Sequence, residues 1–226
     1  MIKKSLLKIY KVLSNTRAGL FLLNKKFSLK YSSASQYWEQ RYQRNGSSGP
    51  GSYGNAATYK AAILNGFVKE HVIESVIEFG CGDGNQLKCY EFESYIGLDV
   101  ASFCIQKCEK AFKFDDSKSF LFYEPFVFNN SSLKRKAQLV LSIDVIYHLL
   151  EDEVYQLYMQ HIFDASEKYV IIYAWDIDEP QKEHVRHRKF SHWIKMTKKN
   201  WRLFKHIASN PKGVYCDFYI YEKCDS

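Results

Sequence analysis

Short apolar runs alternate with longer stretches in which apolar residues recur at helical spacing. The helical spacing is clear at Ala101, Ile105 and Cys108, which would share one face of a helix. An alternation of strands and helices predicts an α/β domain whose mostly parallel sheet is covered by helices on both faces. The apolar runs predict seven strands, at residues 75–79, 95–98, 119–123, 138–143, 169–173, 201–207 and 216–221.

The last two predicted strands are joined without a helix. The segment between them carries the turn Asn210-Pro211-Lys212-Gly213, whose proline and glycine favour a change of chain direction. We therefore expect a terminal hairpin, which would make the last strand antiparallel in an otherwise parallel sheet.

The chain before the first strand divides into an arm and the start of the domain. Residues 55–70 read as a helix, and the aromatic segment 37–42 also has helical character. Between them, residues 46–54 are rich in glycine and serine, which suits either a plain linker or a lid over a ligand. Within this loop, Tyr53 is a candidate contact for a substrate. We predict an arm at 1–34 and one domain at 35–226.

Charge separates these two parts. Residues 1–30 carry eight basic side chains and no acidic one, so the rest of the chain, with 24 basic and 25 acidic residues, has a net charge of −1. Ile2, Leu6 and Ile9 recur near helical spacing, so the arm could lie on an anionic membrane surface, contact a partner, or pack as an ordinary helix on the domain. The near-neutral domain argues against nucleic acid as a ligand.

The cysteines and the apolar segments indicate in which cellular compartment we expect the protein. The six cysteines include no Cys-x-x-Cys pair and no zinc-like spacing, so we expect structural thiols in a reducing cytoplasm and no metal site. No run of about 20 apolar residues is present, and the short apolar run at 18–23 is not followed by a cleavage site, so neither a spanning helix nor a signal peptide is expected. Contact with the inner membrane face would come through the arm.

The most informative segment follows the first predicted strand and reads Glu78-Phe79-Gly80-Cys81-Gly82-Asp83-Gly84. Glycines at the start of a helix permit a tight turn and bring backbone amides close to a ligand. Asp99 ends the next strand, 21 residues after Glu78. An acid at that place can accept hydrogen bonds from ribose hydroxyls.

The sequence of this turn narrows the class of nucleotide that it could bind. The dinucleotide pattern Gly-x-Gly-x-x-Gly requires glycine where Asn85 stands, and no phosphate-neutralising lysine follows the turn, as a P-loop requires. Glu78, two residues before Gly80, would repel a diphosphate and attract a cationic ligand. A sulfonium with an amino-acid ammonium group meets that description.

These segments resemble the class I S-adenosylmethionine-dependent methyltransferases. Residues 78–84 look like the first motif of that family, 97–100 like its ribose-binding motif, and 139–148 like its fourth-strand motif. The resemblance covers about residues 35–222 and implies a Rossmann-like fold with S-adenosylmethionine as cofactor. Carried over by position, the cofactor contacts would be Glu78, Gly80, Cys81, Gly82, Gly84, Asp99, Val100 and Asp144. The segment 123–126, expected near the adenine, departs from the commoner family pattern.

Two segments are candidates for the methyl acceptor. His148 follows the fourth strand and would serve as a base for an oxygen acceptor, or as a structural histidine. His184, Arg186, His187 and Arg188 form a basic cluster that would bind an anionic group of the acceptor, or remain a solvated turn. Both segments are similar to a group of bacterial methyltransferases that we associate with surface-polysaccharide gene clusters. That resemblance implies a sugar or sugar-nucleotide acceptor.

The resulting hypothesis is an O-methyltransferase acting on a small-molecule or glycan hydroxyl. A methyltransferase of RNA or protein is the first alternative, because the basic arm could contact phosphates. The second is a methyltransferase-like binding module without activity. The sequence leaves the oligomeric state open.

Overall fold

A computed structural model describes residues 34–129, 133, 136–179, 185–209 and 216–224 of the chain. The predicted arm, apart from Ala34, lies outside the described residues, as do His184 and the predicted turn at 210–213.

The described residues form a seven-stranded sheet in the order β3-β2-β1-β4-β5-β7-β6. The pairs from β3 to β5 are parallel, whereas β7 is antiparallel to both of its neighbours, β5 and β6. The mostly parallel sheet with an antiparallel last strand is therefore confirmed. The strands are β1 Ser75–Phe79, β2 Ser94–Asp99, β3 Lys118–Phe122, β4 Ala137–Ile143, β5 Ser166–Ala174, β6 Trp201–Ile207 and β7 Asp217–Lys223.

Helices cover the sheet on both faces. They are α1 Ala34–Gln43, α2 Gly54–Glu70, α3 Ser102–Ala111, α4 Asp152–Asp164 and α5 Phe190–Thr197. The short 3₁₀ turns Pro50–Ser52, Gln86–Cys89 and Ile146–His148 lie in the connections.

The central strands are apolar on both sides because each face of the sheet packs in a separate hydrophobic core. Val76 of β1 packs with Leu64 and Phe67 of α2, whereas Ile77 packs in the other core with α4 residues such as Met159. Successive side chains of a strand point to opposite faces, so a strand buried on both faces reads as a continuous apolar run. This explains why β1, β4 and β5 were visible in the sequence.

The carboxyl ends of the parallel strands meet at one edge of the sheet. There β1 leads into the glycine turn, β2 ends at Asp99, β4 is followed by Asp144 and β5 by Trp175. The strand order reverses between β1 and β4, and a crevice forms at such a switch point in open α/β sheets. Within the described part of the chain, no helix is both long and apolar enough to cross a membrane.

Candidate functional site

A cleft of about 810 Å³, including the open space at its mouth, lies at this switch point. Predicted residues from three strand ends line it together. They are Glu78, Gly80, Cys81, Gly82, Asp99, Val100, Asp144 and His148.

The glycine turn links two of these strand ends. Gly80 and Gly82 have φ values of 89° and 56°, in the left-handed region that glycine adopts without strain. The amide of Gly82 donates to Oδ2 of Asp99 at 2.9 Å. A Cβ at Gly82 would lie 3.2 Å from the Tyr42 hydroxyl and collide with the Ser48 side chain, so this position has no room for a side chain.

Asp99 is a buried carboxylate held by backbone amides. Besides the bond from Gly82, its Oδ1 accepts a hydrogen bond from the Ala101 amide at 2.8 Å. Burial raises the pKa of Asp99 to about 6, against the lowering effect of these two amides. Each carboxylate oxygen can accept more than one hydrogen bond, so Asp99 keeps acceptor capacity for hydroxyl groups in the cleft.

Glu78 lies deeper, with 4% of its surface exposed. The Tyr95 hydroxyl donates to its Oε2 at 2.5 Å. Burial raises the pKa of Glu78 to about 7, although the bond from Tyr95 and the charge of Lys60 act in the opposite direction. A carboxyl group that titrates near neutral pH in a cleft is typical of a functional site.

Asp144 stands where β4 turns away from the sheet. Its φ is 61°, a conformation that residues other than glycine, asparagine and aspartate seldom adopt. Lys60, 1% exposed, places Nζ 2.5 Å from Asp144 Oδ2, and the Tyr147 hydroxyl donates to Oδ1 at 2.8 Å. The ammonium and the hydroxyl thus fix both oxygens of a carboxylate that faces the cleft.

Residues 46–53, here called the strap, cover the glycine turn through Asp83. Ser48 donates its amide to Asp83 Oδ2 at 3.2 Å and accepts the Asp83 amide on its hydroxyl at 3.0 Å. The Tyr53 hydroxyl donates to the same Oδ2 at 2.6 Å. Burial acts to raise the pKa of Asp83, but bonds from Tyr53, Asn85 and Ser48 hold it below its ordinary value. The glycine- and serine-rich segment is therefore a bonded cover over the cleft.

Helix α1 and the strap supply cleft residues that sequence reasoning did not assign. Trp38, Tyr42, Ser48 and Ser52 line the cleft. Trp38 and Tyr42 are one helical turn apart in the aromatic segment 37–42, and this spacing was the available signal. Nothing in the sequence indicated that this helix packs over the glycine turn.

His148 lines the cleft beside two aromatic rings. Its ring centroid is 5.1 Å from that of Trp38 and 4.5 Å from that of Tyr147. It ends the 3₁₀ turn Ile146–His148, four residues after Asp144.

Several predicted site residues lie outside the cleft wall. Gly84 faces α3, because a Cβ there would lie 2.9 Å from the sulfur of Cys108. Tyr53 bonds to Asp83 as part of the strap. His187 packs between the rings of Tyr147 and Trp175.

The two predicted arginines stabilise the start of α4. Arg188 donates to the carbonyls of Leu149 and Leu150 at 2.6 and 2.7 Å, and Arg186 donates to that of Leu150 at 3.0 Å. Both guanidinium groups also pair with Asp152 at 3.0 Å. The structure therefore engages these cations outside the cleft, rather than presenting them to an anion in it.

A scan against known protein families and a search of curated proteins find no match for this sequence. Solved structures do match. The N-methyltransferase NodS from Bradyrhizobium japonicum WM9, in complex with S-adenosyl-L-homocysteine, has a TM-score of 0.65 at 12% identity, over 85% of this chain and 99% of that one. Magnesium protoporphyrin IX methyltransferase from Synechocystis PCC 6803, also with S-adenosyl-L-homocysteine bound, has a TM-score of 0.58 at 12% identity, over 88% of this chain and 99% of that one.

The methyltransferase domain of a bacterial Hen1 protein matches with a TM-score of 0.59 at 17% identity, over 74% of this chain and 98% of that one. The fold is that of the class I methyltransferases. By their names, one of these proteins acts on magnesium protoporphyrin IX and another is an N-methyltransferase, so the methyltransferase fold alone leaves the acceptor open.

Proposed function

We propose that the chain is an S-adenosylmethionine-dependent methyltransferase that binds its cofactor in the cleft between β1, β2 and β4. The observation that carries this proposal is the convergence of Glu78 and Asp99 on one cleft, with the glycine turn between them. Solved structures with the same fold and bound S-adenosyl-L-homocysteine support it.

The chemistry of the cleft wall fits this cofactor. Three carboxylates line it, those of Glu78, Asp99 and Asp144, and no lysine or arginine among the described residues does. Such a wall favours a ligand that carries ammonium and sulfonium charges and disfavours a diphosphate. Glu78 and the turn Gly80–Gly82 would hold the methionine part, and Asp99 and Val100 the ribose.

The bound cofactor would supply a methyl group on sulfur, and the acceptor's lone pair would form the new bond to carbon as the carbon–sulfur bond breaks towards sulfur. The protein's task is to align the reactants and exclude water. The strap and α1 cover the cleft, and Asp144 and His148 face it beside them. An acceptor hydroxyl must lose its proton, and His148 is the base that we propose for this step.

We propose a small-molecule or glycan hydroxyl as the acceptor. The resemblance of residues 146–149 and 184–188 to methyltransferases of surface-polysaccharide clusters supports a glycan. RNA is less well supported, because the described residues lining the cleft include no cation that would contact phosphate.

Calorimetry with S-adenosyl-L-homocysteine tests the cofactor assignment. We expect one site in the wild-type chain and an affinity at least about tenfold lower for Asp99→Ala, since hydrogen bonds to a charged group contribute about 1.5–3 kcal/mol. Asp115→Ala is the matched control, because Asp115 is an exposed acid that bonds to Ser117 before β3. No binding by the wild-type chain, or equal binding by Asp99→Ala, would overturn the proposal.

A further inference from the structure

A row of aromatic rings leads from the cleft to the protein surface. Trp38 and His148 line the cleft, and the Tyr147 ring contacts that of His148 at a tilt, with 4.5 Å between the centroids. His187 follows, with its ring centroid 5.4 Å from those of both Tyr147 and Trp175. Trp175, directly after β5, is 39% exposed. We call these five residues the ring row.

Asp144 lies at the inner end of the ring row. The Tyr147 hydroxyl that donates to Asp144 belongs to a ring of the row, and Asp144, Trp38 and His148 together form part of the cleft wall. The Asp144 side chain is 21% exposed. An ionised carboxylate can only accept hydrogen bonds, so this end of the wall suits a ligand that donates them through hydroxyl groups.

The positive charges near the wall have other partners. Arg186 and Arg188 bond to backbone carbonyls and to Asp152, and the ammonium of Lys60 is buried behind Asp144. Arg41, whose guanidinium lies 5.5 Å from the Trp38 ring centroid, donates to the Ser47 carbonyl and the Tyr37 hydroxyl. None of these three arginines, nor Lys60, therefore offers an unpartnered charge to a phosphate at this place. An acceptor whose phosphate lay next to the reacting hydroxyl would lose its hydration without gaining a partner.

We propose that the ring row is the acceptor-binding wall and that it takes an uncharged sugar ring of a glycan, an inference that rests on the proposed function. A sugar ring offers C–H faces that pack on aromatic rings, and hydroxyl groups that donate to a carboxylate. The wall provides both contacts. Asp144 receives hydroxyls at the reacting end, and Trp175 supports the next ring of the chain outside the cleft. Neutral glycans are then preferred over sugar phosphates.

The test follows transfer of the labelled methyl group from S-adenosylmethionine to three pools from the source organism: neutral glycans, anionic phosphorylated sugars, and RNA. We expect label in the neutral glycan pool. We also expect Trp175→Ala to raise the KM for that pool by roughly tenfold, the scale of one lost aromatic contact. Its affinity for S-adenosyl-L-homocysteine should stay at the wild-type value, because Trp175 does not line the cleft.

Phe114→Ala is the matched control. Phe114 is 90% exposed and lies between α3 and β3, at the opposite edge of the sheet, so its removal should leave KM unchanged. Label confined to phosphorylated sugars or RNA, label in none of the pools, or equal KM values for Trp175→Ala and wild type, would overturn the inference about the acceptor. If the wild-type chain does not bind S-adenosyl-L-homocysteine, that result would instead refute the proposed function.

Discussion

At the scale of single residues, the pair of Lys60 and Asp144 holds the β4 end of the cleft in place. Asp144 adopts a left-handed backbone conformation, which costs on the order of 1 kcal/mol or more and persists only where its surroundings enforce it. The surroundings here are the Lys60 ammonium, the Tyr147 hydroxyl and the bond from the Asp144 amide to the Tyr173 carbonyl at 3.2 Å. A lysine inside α2 carries no sequence signal of this role.

Removing one partner of this pair should cost more than removing both. We expect Lys60→Met to lower the free energy of unfolding by about 3 kcal/mol, because it leaves a largely buried carboxylate without its counter-charge. Adding Asp144→Asn should recover part of that loss, since asparagine tolerates a positive φ. Urea unfolding of the two single variants and the double variant measures the coupling. Additive effects would show that the ion pair contributes nothing.

At the scale of elements, the glycine turn serves packing as well as binding. Gly84, with a φ of 72°, faces Cys108 and Phe112 of the α3 region, which a Cβ would approach to 2.9 and 3.1 Å. We expect Gly84→Ala to destabilise the protein by at least about 1–2 kcal/mol, from backbone strain and crowding together. Gly66→Ala is the control, because Gly66 lies inside α2 with open space at its Cβ position. There alanine should stabilise the protein by about 0.5–1 kcal/mol in thermal or urea unfolding.

The strap gives a second prediction for an element. Asp83 receives the Ser48 amide and the Tyr53 hydroxyl, so Asp83→Ala should release the strap from the glycine turn. We expect roughly tenfold faster dissociation of S-adenosyl-L-homocysteine, on the scale of one charged hydrogen bond. Tyr53→Phe removes one of these bonds and should give a smaller effect. Stopped-flow fluorescence can follow dissociation, with Trp38 in the cleft wall as reporter. Equal dissociation rates for Asp83→Ala and wild type would contradict a covering role.

The same elements show what the sequence could predict. Buried strands could be recognised from their apolar runs, and the predicted bounds of β1 and β6 agree with the structure. The strand β5 is longer than predicted, at Ser166–Ala174, because the exposed charged residues Glu167 and Lys168 interrupt the apolar pattern near its start. The turn after β1 and the acid ending β2 were visible because local backbone geometry requires those residue types. The roles of Arg186, Arg188 and Trp38 depend on contacts with segments distant in the chain, and a local pattern cannot contain them.

At the scale of the whole molecule, the buried acids link stability to pH. The pKa of Glu78 is raised from 4.5 to about 7, with Tyr95, Lys60, Asp99 and Asp144 as the groups that act on it besides burial. A raised folded-state pKa means that the folded chain binds the proton more tightly than the unfolded chain does. The contribution of Glu78 to stability is therefore fully present below pH 4.5 and is lost as the pH rises through 7. Asp99, with a pKa of about 6, acts with the same sign in a lower window.

Glu78→Gln should separate stability from ligand binding, because glutamine stays neutral and can still accept the Tyr95 hydrogen bond. Without ligand, the variant should be more stable than wild type at pH 8, by on the order of 2–3 kcal/mol, and about equal at pH 4.5. Binding should respond in the opposite direction. Wild-type affinity for S-adenosyl-L-homocysteine should rise by up to about tenfold between pH 6 and 8, as Glu78 ionises and attracts the ligand's ammonium group.

That rise should be largely lost in Glu78→Gln, and the part that remains should come from Asp99, whose pKa of about 6 places its titration at the lower end of this pH range. Urea unfolding and calorimetry at matched pH values measure the two trends. A variant that binds with the same pH slope as wild type would show that Glu78 does not face the ligand's charge. A variant that is no more stable at pH 8 would show that the pKa of Glu78 is not raised in the free protein. Opposite slopes for stability and affinity would mean that the ionised Glu78 destabilises the free protein, and that the cationic group of a bound ligand offsets this cost.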